Sequence, residues 1–198
     1  MALSFSWGNG DHVLFLGDTV LDDPMGYPRL IAAMVTAQYP ERAISFEVRA
    51  LGGDRLPEVL GRLGDDLLGW HPRPTRIVVA LGSNDIWDGA AGTPIGRFRA
   101  LYAALLARLR DLQAHLLCLT TTLYGEELEN PTNQAMAVYN EAIREIAFAH
   151  GADVVDVNQA MREALRQARA ATPTFRYTVD NLHLNVYGHF LVALAVLQ

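Results

Sequence analysis

The feature that most constrains the fold of this chain is a regular alternation of short apolar runs with helical patterns. The five apolar runs are His12–Leu16, Ala43–Ala50, Arg76–Leu81, His115–Thr121 and Asp153–Val157. Several are continuous rather than alternating, which is typical of strands covered on both faces in a parallel sheet. Strands that alternate with helices predict right-handed crossovers. We therefore predict an α/β chain, a three-layer α/β/α sandwich on a flavodoxin-like five-stranded parallel sheet.

Helical patterns fill the intervals between these strands. Pro28 and Pro57 stand where prolines are favoured in the first turn of a helix, and Gly151 is placed to end one. The predicted helices are Arg29–Gln38, Glu58–Leu68, Arg97–Gln113, Asn130–His150, Asn158–Ala170 and Val186–Leu197. Because the chain has no internal repeat and no linker, we predict that residues 1–198 form one domain.

Composition excludes several functional classes. A formal net charge of −6 argues against a nucleic-acid partner, since phosphate binding depends on clustered cations. The single cysteine, Cys118, forms no internal disulfide and is predicted to be a small buried residue. No apolar stretch approaches the ~18 residues of a membrane span. The first residues do not read as a signal peptide, so we predict a cytoplasmic protein.

Polar and glycine-rich segments follow the strands. Parallel sheets bind ligands outside the carboxyl ends of their strands, so these segments are the candidates for a functional site. Three follow a predicted strand and the fourth precedes the last helix: Gly17-Asp18-Thr19, Gly52-Gly53-Asp54, Gly82-Ser83-Asn84-Asp85 and Asp180-Asn181-Leu182-His183.

In this order, the four segments resemble the four conserved blocks of the SGNH/GDSL hydrolase family. The first block, usually Gly-Asp-Ser, reads Gly17-Asp18-Thr19, so a threonine stands where the nucleophilic serine of the family usually does. The resemblance implies an esterase, thioesterase or deacetylase that hydrolyses a small-molecule carboxylic ester through an acyl-enzyme. It implies neither a cofactor nor a metal. The sequence leaves the oligomeric state open.

The resemblance also implies a role for each residue. Thr19 is the nucleophile, His183 the general base and Asp180 the group that orients the imidazole. The oxyanion hole consists of the backbone N–H groups of Thr19 and Gly53 and the side-chain amide of Asn84. A glycine at position 53 either lets the backbone approach the substrate closely or permits a positive φ.

Simpler structural roles remain open for the same residues. The alternatives are turn or capping positions for Asp18, Thr19 and Asp180, an ordinary loop glycine at 53, local hydrogen bonding by Asn84 and a solvated His183. Ser83 is the one rival nucleophile at a strand end, because Ser4 and Ser6 precede the first strand and Ser45 lies inside the second.

Other polar residues are predicted to be structural. Asp85 is expected to bond to loop backbone, and Asp156 and Asn185 to cap helices. The remaining histidines have no acidic neighbour at a spacing like that of Asp180 and His183, and are expected to be structural or solvent-facing: His12, His71, His115, His150 and His189. Several acids lie at the carboxyl edge and predict either a rim that favours neutral or cationic esters or a set of solvated loop charges: Asp22, Asp23, Asp54, Asp88, Glu126, Glu127 and Glu129.

Two other functions compete with a working esterase. Because a β-branched threonine restricts χ1 and adds a methyl beside the attacking oxygen, the chain is alternatively a catalytically impaired relative that binds an acyl or acetylated ligand. The second alternative is a flavodoxin-like module that binds a nucleotide or flavin phosphate. The chain has no glycine-rich phosphate loop of the usual spacing, which argues against that module.

Overall fold

Five parallel strands form the central sheet of the structure, a computed structural model that describes residues 7–68, 72–87 and 89–198. The strands are β1 (His12–Gly17), β2 (Ser45–Ala50), β3 (Arg76–Ala80), β4 (His115–Leu119) and β5 (Asp153–Val155). Their order across the sheet is β2-β1-β3-β4-β5, and every neighbouring pair is parallel. This is the flavodoxin-like order. The predicted fold class is confirmed.

Helices cover both faces of the sheet. They are α1 (Tyr27–Gln38), α2 (Leu56–Leu68), α3 (Ser83–Trp87), α4 (Ile95–Arg110), α5 (Pro131–Ala149), α6 (Val157–Ala171) and α7 (Val186–Val196). Successive side chains of β1 belong to two hydrophobic cores, one on each face of the sheet. Leu14 and Leu16 pack with residues of α2, α4 and α5, whereas Val13 and Phe15 pack with residues of α1, α6 and α7. Side chains of successive strand residues point to opposite faces, so one strand supplies both cores.

Side-chain caps account for several helix starts. Asn130 caps α5, Asp156 caps α6 and Asn185 caps α7, each accepting backbone N–H groups of the first turn. Pro28 and Pro57 are second residues of α1 and α2. The capping roles predicted for Asp156 and Asn185 are therefore confirmed.

Several predicted boundaries differ from the structure. Strand β2 begins at Ser45 because a 3₁₀ turn, Pro40–Arg42, ends at Ala43 in the left-handed conformation with φ 50°. Strand β4 ends at Leu119, and β5 is three residues long because Asp156 caps α6 instead of continuing the strand. The short helix α3 was not predicted, since five residues are too few for a periodic pattern.

Along the described ranges, none of the helices combines the length and the apolar character needed to cross a bilayer.

Candidate active site

Three of the predicted site residues lie at the carboxyl edge of adjacent strands. Thr19 is in the turn after β1, Gly53 is in the loop after β2, and Asn84 is in α3, which follows β3. Because β1 lies between β2 and β3 and all three are parallel, their following segments converge on one side of the sheet.

The Thr19 hydroxyl is the point where these segments meet. Gly53 N donates to Thr19 Oγ1 at 2.9 Å, and Asn84 Nδ2 donates to the same oxygen at 3.0 Å. Thr19 Oγ1 in turn lies 3.1 Å from Asn84 Oδ1, to which it can donate. Asn84 Nδ2 also donates to the carbonyl oxygen of Asp54 at 2.8 Å, which fixes the plane of the amide. Two N–H donors from different strand ends are thus aimed at one hydroxyl oxygen.

Gly53 has a backbone conformation that requires glycine. Its φ is +87°, while a Cβ built at this position would meet nothing within 4 Å. Of the two reasons predicted for a glycine here, the structure shows the positive φ. The preceding residue is held by Asp22, whose Oδ2 accepts the N–H of Gly52 at 2.8 Å.

Asp180 and His183 form a second cluster, in the loop before α7. His183 Nδ1 lies 2.8 Å from Asp180 Oδ2, and His183 N donates to Asp180 Oδ1 at 2.9 Å. The backbone N–H and the imidazole of His183 together lower the pKa of Asp180 to about 2, so this carboxylate is charged throughout the neutral range. Both side chains are about half exposed, at 55% and 52%.

Asp23, in the loop that follows Thr19, lies near His183. The pKa of Asp23 is lowered by the N–H of Met25, by the pair with His189 and, least, by the nearby His183. Among the described residues, no hydrogen bond joins Thr19 to His183: the threonine hydroxyl bonds to Asn84 and Gly53 instead.

Asp18, beside the threonine, is a buried carboxyl group. It is 1% exposed; Oδ1 accepts the N–H of Val20 at 3.4 Å, while Oδ2 has no partner among the described residues. Burial, with a smaller contribution from Asp85, raises the pKa of Asp18 to about 7. Ser83 and Thr122 line the same small cavity as Asp18.

The raised pKa of Asp18 predicts that the free energy of unfolding depends on pH. The folded-state pKa of Asp18 lies above its unfolded value of 3.8. The contribution of this group to the free energy of unfolding is therefore fully present below about pH 4 and is lost as the pH rises through about 7. Asp18→Asn removes this ionisation. We expect the variant to be more stable than the parent at pH 8.5, by up to about 4 kcal/mol, and by less than half of that at pH 5, where the folded-state carboxyl is still protonated. Urea unfolding at the two pH values measures this, and equal differences at both would contradict it.

Several histidines have partners that sequence spacing does not reveal. His189, 5% exposed, lies with Nε2 3.1 Å from Asp23 Oδ2, while its Nδ1 accepts the N–H of Tyr27. Burial lowers the pKa of His189, which favours the neutral ring with its proton on Nε2. His115 pairs with Asp153, and His12 Nδ1 contacts the Ser45 hydroxyl. His189 and His115 thus have acidic partners, Asp23 and Asp153, that are far from them in the sequence.

The remaining histidines and the rival serines add no second candidate to the site. Ser83 is 4% exposed at the start of α3. His71, Ser4 and Ser6 lie outside the described residues. His150 follows α5 and lies at the amino edge of the sheet, away from Thr19. Its Nδ1 is buried without a partner in the described part of the chain.

The acids at the carboxyl edge divide into buried and solvated groups. Asp54 and Glu126 are 8% and 7% exposed and pair with Arg62 and Arg176. The side chains of Glu127 and Glu129 are 87% and 80% exposed, and Asp88 lies outside the described residues. Neutralisation of buried acids by arginines makes the rim less acidic than the sequence suggested. Asp85 was predicted to bond to loop backbone, but it accepts the N–H of Leu56, the first residue of α2.

Three or more His, Cys, Asp or Glu side chains do not come together as a possible metal site anywhere in the described ranges. The groups that the site residues offer are a hydroxyl, an imidazole with its carboxylate, and N–H donors.

Comparison with known proteins gives a consistent result. A model of the GDSL-like lipase/acylhydrolase family matches residues 4–191. The chain is similar to an acetylxylan esterase of Geobacillus stearothermophilus, with 21% identity over 96% of this chain and 94% of the esterase. The crystal structure of that esterase, Axe2, superposes with a TM-score of 0.83 at 22% identity, covering 95% and 93% of the two chains.

A second structure is equally similar. The α/β hydrolase LAE5, from the metagenome of Lake Arreo in Spain, superposes with a TM-score of 0.84 at 22% identity over 97% of this chain and 98% of its own. Solved catalytic mutants of Axe2 replace a serine, an aspartate or a histidine with alanine, and the aspartate precedes the histidine by three positions.

Proposed function

Because the chain belongs to the GDSL-like lipase/acylhydrolase family and is an esterase or acylhydrolase of that kind, we propose that Thr19, His183 and Asp180 are its catalytic residues. Thr19 supplies the nucleophilic oxygen, His183 the base and Asp180 the charge that fixes the tautomer of the imidazole. In support, the Axe2 catalytic mutants involve a hydroxyl residue, an aspartate and a histidine with the same three-residue spacing.

The reaction proceeds in two steps. His183 Nε2 takes the proton of Thr19 Oγ1 as that oxygen attacks the ester carbonyl carbon. The tetrahedral intermediate then collapses: the carbon–oxygen bond to the alcohol breaks, and the alcohol leaves with the proton from His183. In the second step, water attacks the acyl-threonine with the same base, which releases the carboxylic acid and restores the hydroxyl.

The oxyanion is stabilised by N–H donors at the strand ends. We assign this role to the backbone N–H groups of Thr19 and Gly53 and to Asn84 Nδ2. The observation that carries the proposal is the convergence of Gly53 N and Asn84 Nδ2 on Thr19 Oγ1, at 2.9 and 3.0 Å. In a tetrahedral adduct the oxyanion is two bonds away from Thr19 Oγ1, so donors that now point at Oγ1 need only a small shift to reach the oxyanion.

The substrate class is proposed from the relative. The acetylxylan esterase of Geobacillus stearothermophilus is named for acetyl groups on a polysaccharide, and the similarity to it covers 96% of this chain. We propose acetylated carbohydrates as the first substrates to test, with short-chain esters as general probes.

A second candidate function, an impaired relative that binds an acetylated ligand, is favoured by one observation. The Thr19 hydroxyl bonds to Asn84 and Gly53 and has no bond to His183 among the described residues. A threonine that keeps this rotamer binds an acyl group beside the oxyanion donors but transfers its proton poorly.

A panel of p-nitrophenyl esters and acetylated xylo-oligosaccharides separates these functions, and Asn84→Ala sharpens the result. We expect turnover of acetyl esters by the parent and a loss of about 100-fold in kcat/KM for Asn84→Ala, because one oxyanion donor disappears. Gln159→Ala is the control, since it removes a side-chain amide on α6 that bonds to Glu163 and to neither Thr19 nor Gly53. Unchanged kcat/KM in folded Asn84→Ala would remove this residue from the oxyanion hole.

A further inference from the structure

Glu126 is a buried carboxylate that the proposed reaction does not use. It lies in the segment between β4 and α5, and its side chain is only 6% exposed. Oε1 accepts from Tyr177 N at 3.0 Å, from Thr178 N at 2.9 Å and from Thr178 Oγ1 at 2.7 Å. Oε2 lies 3.0 Å from Arg176 Nε. Four donors from three consecutive residues thus offset the cost of burying this charge.

Those three residues form the base of the loop that carries Asp180 and His183. The loop is closed by Val179 N, which donates to the carbonyl oxygen of His183 at 2.8 Å, and by an antiparallel bridge between Thr178 and Leu184. Asn185 N donates to Tyr177 O at 2.8 Å just outside the bridge. Glu126 therefore accepts the backbone N–H groups of Tyr177 and Thr178, the two residues that anchor the loop.

The tip of the loop is tied to the same segment. Gly125 N donates to Asn181 O at 2.8 Å, and Arg176, which Glu126 holds at Nε, donates from its terminal nitrogen to Asn181 Oδ1 at 3.0 Å. In contrast, Asp180 and His183 themselves are about half exposed. Side chains that are half in solvent receive little orientation from packing, so the hydrogen bonds at the base and tip decide where the imidazole lies.

We propose that Glu126 is a positioning residue: it clamps residues 176–178 and thereby aims the Asp180–His183 pair at Thr19. The proposal rests on the proposed function in assigning His183 as the base. A purely structural carboxylate would stabilise the fold without changing the chemical step, and this difference is measurable.

The test compares Glu126→Gln with Asp11→Asn. Asp11 is a matched control: its side chain is 15% exposed and accepts from Gly8 N, from Thr75 Oγ1 and from Arg76 Nε, but it precedes β1 at the opposite edge of the sheet. Both variants lose one carboxylate charge within a similar set of donors. Activity is measured at a temperature where unfolding curves show each protein to be folded, in the parent and in the Thr19→Ser background.

We expect Glu126→Gln to lower kcat by at least about tenfold, with KM within about threefold of the parent, because misplacement of a catalytic group by ~1 Å costs about 100-fold in rate. Asp11→Asn should leave kcat unchanged. Should Glu126→Gln fail to fold, Thr178→Val removes a single hydroxyl donor to Glu126 and should give a smaller loss in the same direction. Equal effects of Glu126→Gln and Asp11→Asn on kcat would overturn the proposal.

Amide hydrogen exchange gives a measurement that does not need turnover. The N–H groups of Val179, Leu182 and His183 are bonded within the loop, to His183 O and Asp180 Oδ1. They should exchange at least about tenfold faster in Glu126→Gln and at the parent rate in Asp11→Asn. If no ester is turned over in either background, the proposed function fails, and exchange alone decides whether Glu126 orders the loop. Unchanged exchange at all three amides would refute that ordering.

Discussion

The His183→Ala variant is expected to lose about 10⁴-fold in kcat/KM for acetyl esters, the largest effect of any single change in this protein. Without the imidazole, the proposed base for the Thr19 proton is missing, and the alcohol leaves without a proton. Asp180→Asn should lose about 10³-fold, because an amide no longer favours the proton on Nδ1 or stabilises the imidazolium.

Another histidine–aspartate pair supplies the control for these variants. His115 and Asp153 lie 3.3 Å apart and are exposed, but they begin β4 and β5 and so lie at the amino edge of the sheet, away from Thr19. His115→Ala and Asp153→Asn should change kcat/KM by less than about twofold, as exposed pairs contribute little. Full activity in folded His183→Ala would remove His183 from the mechanism.

Thr19→Ala is the second large effect, with an expected loss of at least about 10³-fold in kcat/KM, because the nucleophilic oxygen disappears while the oxyanion donors remain. Thr19→Ser should act in the opposite direction. Removing the methyl frees χ1, so the hydroxyl can leave Asn84 and turn towards His183. A gain of about tenfold corresponds to about 1.4 kcal/mol of barrier, a plausible size for relieved misalignment.

Three outcomes of the Thr19 series are distinguishable. Activity in the parent that is lost in Thr19→Ala identifies threonine as a working nucleophile, and an acetyl group found by mass spectrometry on the peptide containing Thr19 would establish the acyl-enzyme. No detectable activity in the parent, together with activity in Thr19→Ser, identifies an impaired enzyme with an intact fold. No detectable activity in either the parent or Thr19→Ser, over the full ester panel, contradicts the hydrolase mechanism. Thr75→Ser, at the amino edge of the sheet before β3, controls for the substitution itself.

The amino-acid sequence determined the features that depend on near neighbours in the chain. Continuous apolar runs fixed the strands, because burial on both faces admits few polar residues. Side-chain caps such as Asn185 act over two or three residues, and the Asp180–His183 pair has the same short range. A positive φ at Gly53 was one of the two roles that the sequence offered for this glycine, because backbone conformation is a local property.

Other features were decided only by tertiary structure. Thr19 meets Asn84 because β1 and β3 are neighbours, across 65 positions of sequence, and His189 meets Asp23 across 166. Whether an acid is buried is equally non-local: Glu126 and Glu127 are adjacent in sequence, yet one is enclosed by backbone donors of a distant loop and the other is 87% exposed. The energy of a charge depends on the groups around it, and the folded chain supplies those groups from elements that the sequence does not show to be close.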